Sequence, residues 1–154
     1  VSRILHRAAH RISPPDQPRL SHCVLARSDP RGRPVAGELY AHEIYDLDLP
    51  VELAVLSACG TARGRRIAGE GVVAGLPRAL LYAGAARVVV SLWAVPDEST
   101  SELMELFYDH LLERGEPPGR ALQQAQRELW RGGGAPWRWA GFTLQGDWRP
   151  LPPF

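Results

Sequence analysis

VELAVLSACGTARGRRIAGEGVVAGLPRALLYAGAARVVVSLW, residues 51–93, is the segment that decides the fold. Residues 51–58 are short and largely apolar, which predicts a strand buried on both faces of a parallel sheet. A glycine-rich, charged loop follows, and apolar positions at helical spacing then predict a helix over residues 72–83. Gly84 ends that helix, and residues 87–93 predict a second buried strand. The segment therefore predicts a βαβ unit.

Two residues of this segment fall where parallel sheets bind ligands. Open parallel sheets bind them outside the carboxyl ends of their strands, and a right-handed crossover brings those ends to one edge. Cys59 directly follows the first predicted strand, and Trp93 ends the second. A thiol at this edge faces a cleft instead of the core, so Cys59 is a candidate nucleophile.

The flanking sequence predicts further elements of an α/β fold. Residues 2–9 predict a strand that brings His10 to its carboxyl end. Asp97 or Ser99 is positioned to cap a helix with an apolar face. The remaining expectations are a proline-rich loop at 11–21, a short strand at 22–26, a turn at 28–34, a helix at 41–47, a helix at 119–130, a loop at 131–139 and a strand at 140–145.

Composition narrows the class of protein. A chain of 154 residues suits one domain with one core. A formal net charge of +1 gives no reason to expect nucleic acid as a partner, and no apolar run approaches the ~20 residues that cross a membrane. The two cysteines, Cys23 and Cys59, lack metal-ligand spacing, and we expect reduced thiols in a cytoplasm.

His10 and Cys59 are the residues that could perform chemistry. If their strands are parallel neighbours, both side chains emerge at the same edge of the sheet. A nearby imidazolium lowers the pKa of a thiol, and the imidazole can later give its proton to a leaving amine. Backbone N–H groups at Cys59 and Gly60 could stabilise an oxyanion, since glycine lets a substrate approach closely.

Other interpretations of these residues stay open. A cysteine at a strand end is often a small buried hydrophobe, and a single histidine is more often structural. The glycine-rich loop could cradle a phosphate, although it lacks both GxxxxGK[ST] and GxGxxG. The histidines form no HxxxH pair on a predicted helix, because His6 and His10 span a strand and its loop. We therefore expect no metal site.

At this point the sequence resembles a known family, the CHAT domain. Residues 4–10, ILHRAAH, resemble its His motif, and residues 56–61, LSACGT, resemble its Cys motif. The resemblance covers about residues 3–148. It continues in the family's order through Gly69-Glu70-Gly71, Gly75-Leu76, Arg78-Ala79, Ala83-Gly84-Ala85, Ser91-Leu92-Trp93, Asp97, Met104, Phe107-Tyr108, Trp139-Ala140, Phe142 and Gly146-Asp147.

The resemblance implies a fold and an activity. The CHAT domain is a caspase-like cysteine peptidase domain often found behind tetratricopeptide repeats. The resemblance implies an α/β fold, a caspase-like three-layer sandwich with a mostly parallel sheet flanked by helices. It also implies a cofactor-free endopeptidase with His10 as general acid/base and Cys59 as nucleophile. Trp93 would line the substrate cleft, and Asp97 would border the pocket for the residue before the scissile bond, favouring Arg or Lys there.

The sequence departs from the family at positions next to the dyad. Arg7 stands where the family usually has Phe, Ala9 stands where it has Thr, and Arg11 stands where Gly follows the His. The backbone at that turn helps to form the oxyanion hole in caspase-like sites. Loss of one oxyanion donor costs ~10²- to 10³-fold in rate, so Arg11 bears directly on activity.

The sequence thus predicts a single CHAT-like domain over residues 1–154, a cysteine endopeptidase of a bacterial cytoplasm that acts on protein or peptide substrates. We expect the amino-terminal part of the full domain, and a possible tetratricopeptide-repeat region, to lie elsewhere in a longer chain. We expect no nucleic-acid or membrane partner. The rival is a catalytically weak or inactive CHAT-like module in regulation or protein interaction, which Arg11 favours. A third interpretation is a small-molecule or nucleotide-binding domain using the glycine-rich loop.

Overall fold

A computed structural model of the chain describes residues 3–8, 11–12, 22–57 and 75–152. The strands are β1 (Ile4–Arg7), β2 (Arg11–Ile12), β3 (His22–Val24), β4 (Glu38–Tyr40), β5 (Leu53–Leu56), β6 (Arg87–Ser91) and β7 (Phe142–Gly146). The helices are α1 (Ala41–Ile44), α2 (Leu76–Tyr82), α3 (Asp97–Tyr108), α4 (Pro118–Arg131) and α5 (Pro136–Trp139), and a π-helix (Asp109–Glu113) continues α3.

The central sheet has the parallel pairing that the sequence predicts. Its described strands lie in the order β1, β5, β6, β7. β5 pairs in parallel with β1 on one side and with β6 on the other, and β7 closes the edge antiparallel to β6. At the carboxyl ends Arg7 lies opposite Leu56, and Leu56 lies opposite Val90. The predicted βαβ unit is confirmed, with α2 at the end of its crossover.

Helices cover both faces of this sheet. Ala54 and Leu56 of β5 pack towards α1 and α2, whereas Leu53 and Val55 pack towards α3 and α4. The core is therefore two apolar clusters separated by the sheet, and residues alternate between them because successive side chains of a strand point to opposite faces. The expected three-layer α/β sandwich with a mostly parallel sheet is confirmed.

A smaller antiparallel sheet of the described residues lies beside the first, in the order β2, β3, β4. It corrects two expectations. Residues 11–12 begin the predicted proline-rich loop but pair as β2 with β3, and β4 was not predicted at all. Strands of two or three residues are too short to show an alternating pattern, so only tertiary pairing identifies them.

Helix boundaries differ from the expectations at α1, which ends at Ile44 and not at residue 47, at the start of α3, and within the predicted loop at 131–139. Pro96 occupies the N-cap position of α3, so Asp97 is its first helical residue and not its cap. Ser99 lies inside α3, where its Oγ accepts a hydrogen bond from Arg138. The predicted loop at 131–139 contains α5, which begins at Pro136 because proline suits the first turn of a helix. Among the described helices, none has the length and apolar character needed to cross a bilayer.

An ion cluster ties together the amino ends of the central strands. Arg87, at the start of β6, is 2% exposed, and its Nη2 lies 3.7 Å from Glu52 Oε2 and 3.5 Å from Asp147 Oδ2. Asp147 also accepts hydrogen bonds from Arg149, with one at 2.7 Å. The hydrogen bonds of Arg149, together with the charges of Arg149 and Arg87, hold the pKa of Asp147 well below its usual range. The carboxylate is thus the favoured form in the folded state.

We expect Asp147→Asn to lower the melting temperature near neutral pH, because buried Arg87 loses one of its two counter-charges. A carboxyl whose pKa is depressed by folding stabilises above its unfolded pKa of about 3.9, and this contribution fades as the pH falls below that value. Thermal unfolding at about pH 6 and about pH 3 should therefore show a smaller difference between variant and wild type in acid. Asp48→Asn, at an exposed position, is the control. A difference that does not depend on pH would contradict this account.

Candidate active site

The carboxyl ends of β1 and β5 form the base of the candidate site. The ladder continues one residue past β5, because the amide of Ser57 donates to the carbonyl of Arg7, the last residue of β1, at 3.2 Å. His10 follows the last residue of β1 by three positions, and Cys59 follows the last residue of β5 by three. His10, Cys59 and Gly60 lie outside the described residues. Their two segments nevertheless leave the sheet from neighbouring strands, which lie ~4.8 Å apart.

Three side chains are hydrogen-bonded together at this same edge. His6 Nε2 lies 2.9 Å from Ser57 Oγ, and His6 Nδ1 lies 2.9 Å from the hydroxyl of Tyr108. The rings of His6 and Tyr108 have their centroids 5.6 Å apart. We call these three side chains the His6 network. It connects β1, the residue after β5, and the last residue of α3.

The strand register explains why these residues meet. His6 lies opposite Val55 in the parallel ladder, and Ser57 is two positions beyond Val55 on the same face. Val55 packs in the cluster that includes α3, so His6 and Ser57 face that helix too. Tyr108 closes the network from the carboxyl end of α3.

Partial desolvation favours the uncharged forms of the two ionisable groups in the His6 network, although the His6 side chain remains exposed. Desolvation lowers the pKa of His6, and desolvation raises the pKa of Tyr108 to about 12. At neutral pH the imidazole is therefore neutral and the phenol is protonated. A neutral imidazole has one donor and one acceptor nitrogen, so if Tyr108 donates to Nδ1, then Nε2–H donates to the Ser57 oxygen. The opposite order of donors fits the same distances, with Ser57 donating to Nε2.

Sequence reasoning missed the His6 network. The sequence alone offers His6 as a metal ligand to be weighed and as part of the His motif, and it offers Ser57 and Tyr108 as parts of other family motifs. The available signal was alternation, because His6 interrupts the apolar face of β1 that Ile4 begins. Tyr108 is 102 residues away along the chain, so no local pattern connects it with His6.

Trp93 lies at the same edge, two residues beyond β6. Its indole Nε1 donates to the carbonyl of Trp137 at 2.7 Å, and the preceding amide of Leu92 donates to the carbonyl of Gly141 at 2.7 Å. The ring lies against Gly141, where a Cβ would come within 2.9 Å of Trp93 Cε2. Trp93 remains 38% exposed, so it presents a fixed aromatic surface at this edge of the sheet.

Asp97 is exposed in the first turn of α3, four residues after Trp93. The helix is anchored there by Arg138, whose Nε donates to Ser99 Oγ at 2.8 Å and whose Nη2 lies 3.7 Å from Glu98 Oε2. The structure thus places Trp93 and Asp97 on one connection between β6 and α3.

Two further expectations concern the oxyanion donors and metals. The backbone of Arg11 belongs to β2 and is paired with that of Cys23 in β3, and the Cys23 side chain is buried. The oxyanion roles of Arg11, Cys59 and Gly60 stay predictions. Within the described ranges, no group of three His, Cys, Asp or Glu side chains is arranged to hold a metal ion.

We expect Gly141→Ala to destabilise the fold by about 1–3 kcal/mol, because the added methyl group overlaps the Trp93 ring and must displace it. Urea unfolding measures the change in free energy. Gly119→Ala is the matched control, since its Cβ would meet only the end of the Leu144 side chain at 3.4 Å. Equal unfolding free energies for the two variants would show that the contact between Trp93 and Gly141 does not restrict residue size.

The sequence of this chain is similar to those of known proteins. Over 111 residues the chain is 40% identical to tetratricopeptide repeat protein 28 of Mus musculus and 38% identical to its counterpart in Homo sapiens. The aligned part is 71% of this chain and 4% of each relative. Both relatives are mammalian, so the expected bacterial source stays a prediction. A family model described as CHAT domain matches residues 2–147. The chain belongs to the CHAT domain family, of caspase-like type.

Proposed function

We propose that this chain is a cysteine endopeptidase that hydrolyses peptide bonds of protein substrates with Cys59 as nucleophile and His10 as general acid/base. The carrying observation is the parallel, in-register pairing of β1 with β5, with Arg7 opposite Leu56 at the carboxyl ends. His10 lies three residues after Arg7, and Cys59 lies three residues after Leu56. Membership of a caspase-like family supports the same assignment.

The chemistry requires only these two side chains and backbone donors. The Cys59 thiolate attacks the carbonyl carbon, the negative charge moves to the carbonyl oxygen, and backbone N–H groups stabilise it. Collapse of this intermediate breaks the C–N bond while the imidazolium of His10 protonates the amine that leaves. Water, deprotonated by His10, then hydrolyses the thioester and regenerates the thiol.

A second candidate function is a CHAT module that binds or regulates other proteins and has weak or no peptidase activity. The observation that favours this function is Arg11, at the first position of β2, where the CHAT domain family usually has Gly. The names of the two relatives state tetratricopeptide repeats and no peptidase activity. For either function we propose a tetratricopeptide-repeat region in the same full-length protein and a reducing, cytoplasmic environment that preserves the Cys59 thiol.

We expect Cys59 to be alkylated by iodoacetamide well below pH ~8.5, the reference pKa of a thiol, and His10→Ala to abolish this advantage. The measurement is the rate of alkylation against pH in the intact protein, resolved for each cysteine by mass spectrometry. Cys23 is the internal control, because it is 5% exposed and therefore reports opening of the fold.

The contrary result is a Cys59 that titrates as an ordinary thiol and does not respond to His10→Ala. That result would favour the regulatory module. A third result is also informative: His10 activates Cys59, but the protein does not measurably cleave denatured casein. The dyad would then be assembled and the oxyanion hole deficient, which would favour a module with weak or no peptidase activity.

The structure of the β6–α3 connection supports a specificity for basic residues. We propose that Trp93 lines the cleft and that Asp97 binds Arg or Lys before the scissile bond. A carboxylate forms charge-assisted hydrogen bonds with a guanidinium, and such bonds contribute ~1.5–3 kcal/mol each. Asp97 lies at the exposed start of α3, four residues after Trp93.

We expect Asp97→Asn to reduce labelling by a peptidyl-arginine acyloxymethyl ketone by about tenfold or more, and to leave labelling by the norleucine analogue unchanged. The rate of covalent labelling of Cys59 by the two probes measures this preference. Glu98→Gln is the matched control, because Glu98 is an exposed acidic residue of the same helical turn. Equal losses with both probes would show that Asp97 acts on the fold and not on specificity.

A further inference from the structure

Three neutral side chains connect the two segments of the proposed dyad. The His6 network joins β1, which precedes His10, to Ser57, which precedes Cys59. His6 is four residues before His10, and Ser57 is two residues before Cys59. The hydrogen bond of 2.9 Å between His6 and Ser57 therefore connects β1 with the residue after β5 at the carboxyl edge of the sheet. Both residues are close in sequence to the proposed dyad.

We propose that His6 is a positioning residue, held by Tyr108, that fixes the Cys59-bearing segment through Ser57 at the distance from His10 that the thiolate–imidazolium pair requires. This inference rests on the proposed function and deepens it. His6, Ser57 and Tyr108 have no contact with substrate in this scheme, and they act only through the two dyad residues.

The geometry supports positioning more strongly than general support of the fold. The backbone ladder between β1 and β5 ends at the hydrogen bond from Ser57 to Arg7 within the described residues. His6 lies one residue before Arg7, and its bond to Ser57 adds a side-chain connection between β1 and the residue that follows β5. Ser57 is 8% exposed, so water has little access to its side chain and the bond to His6 is not easily replaced.

Tyr108 gives the network its rigidity. The Tyr108 ring packs against Phe107, with centroids 5.2 Å apart, and Phe107 is fully buried. The phenol hydroxyl thus lies on a well-packed helix and fixes the plane of the His6 imidazole through Nδ1. A histidine ring with both nitrogens engaged in this way presents Nε2 in one orientation only, which is the arrangement that precise placement needs.

In this scheme the pKa of the Cys59 thiol depends on its distance from the His10 imidazolium. The pKa of a thiol falls when an imidazolium is close and rises again when the two separate. Loss of either hydrogen bond of the network lets the Cys59-bearing segment move relative to the segment that carries His10. The expected effect is a higher pH midpoint for Cys59 reactivity, without loss of the fold.

The test compares Tyr108→Phe and Ser57→Ala with wild type in the intact protein, because each change removes one hydroxyl and little volume. We expect each variant to raise the pH midpoint of iodoacetamide alkylation of Cys59 by about one unit, which is about a tenfold lower rate at pH values well below both midpoints. We expect the double variant to show little additional loss, since both hydroxyls act through His6. The rate at Cys23 should stay at its wild-type value.

Tyr45→Phe and His42→Ala are the matched controls. Both residues lie at or beside α1, on the opposite face of the sheet from α3, and neither belongs to the His6 network. We expect wild-type pH profiles for both. His6→Ala serves as the complete deletion of the network, and its profile should match that of the double variant.

The outcomes separate this inference from the proposed function. If His10→Ala abolishes the low-pH reactivity of Cys59 but neither Tyr108→Phe nor Ser57→Ala moves its midpoint, the positioning role is wrong and the peptidase proposal stands. If Cys23 becomes reactive together with the loss at Cys59, the network only supports the fold and the positioning role is again wrong. If wild-type Cys59 titrates as an ordinary thiol, both proposals are wrong.

Discussion

The burial of β5 on both faces and along both edges is the constraint on which the rest of the structure depends. Each residue from Leu53 to Leu56 is at most 4% exposed. A strand in this situation needs a paired strand on each side for its backbone and a helical layer on each face for its side chains. The parallel partners β1 and β6 and the two pairs of helices meet these needs. The arrangement directs the continuations of β1 and β5 to one edge, where a site can form.

The same constraint explains what the sequence could predict. Strands buried on both faces are continuous apolar runs, so β5 and β6 and the helix between them were visible in residues 51–93. The short strands β2 and β4 depend on pairing with β3, and no periodicity marks them. The dyad residues were proposed from chemistry and resemblance. The His6 network was not, because its members are brought together by strand register and by a helix that is distant in sequence.

Charged side chains lie at the amino end of the central sheet, and hydrogen-bonded neutral side chains lie at its carboxyl end. At the amino end, buried Arg87 is balanced by Glu52 and Asp147, and this cluster depends on ionised carboxylates. At the carboxyl end, His6 and Tyr108 are kept neutral by desolvation. A neutral network adds no charge of its own beside the proposed dyad. The ion cluster lies at the opposite end of the strands.

The two candidate functions differ in the oxyanion donors and not in the dyad. The dyad segments leave from the central sheet, from β1 and β5, whereas Arg11 belongs to the smaller sheet through the pairing of β2 with β3. In the proposed mechanism, a change at Arg11 would therefore alter a backbone donor of β2, while β1 and β5, the strands that precede the dyad residues, would stay unchanged. Thiolate reactivity reports the dyad, and turnover reports the dyad together with the oxyanion donors. A reactive Cys59 with slow turnover would therefore point to the proposed oxyanion donors, the backbone of Arg11, Cys59 and Gly60, and not to the dyad side chains.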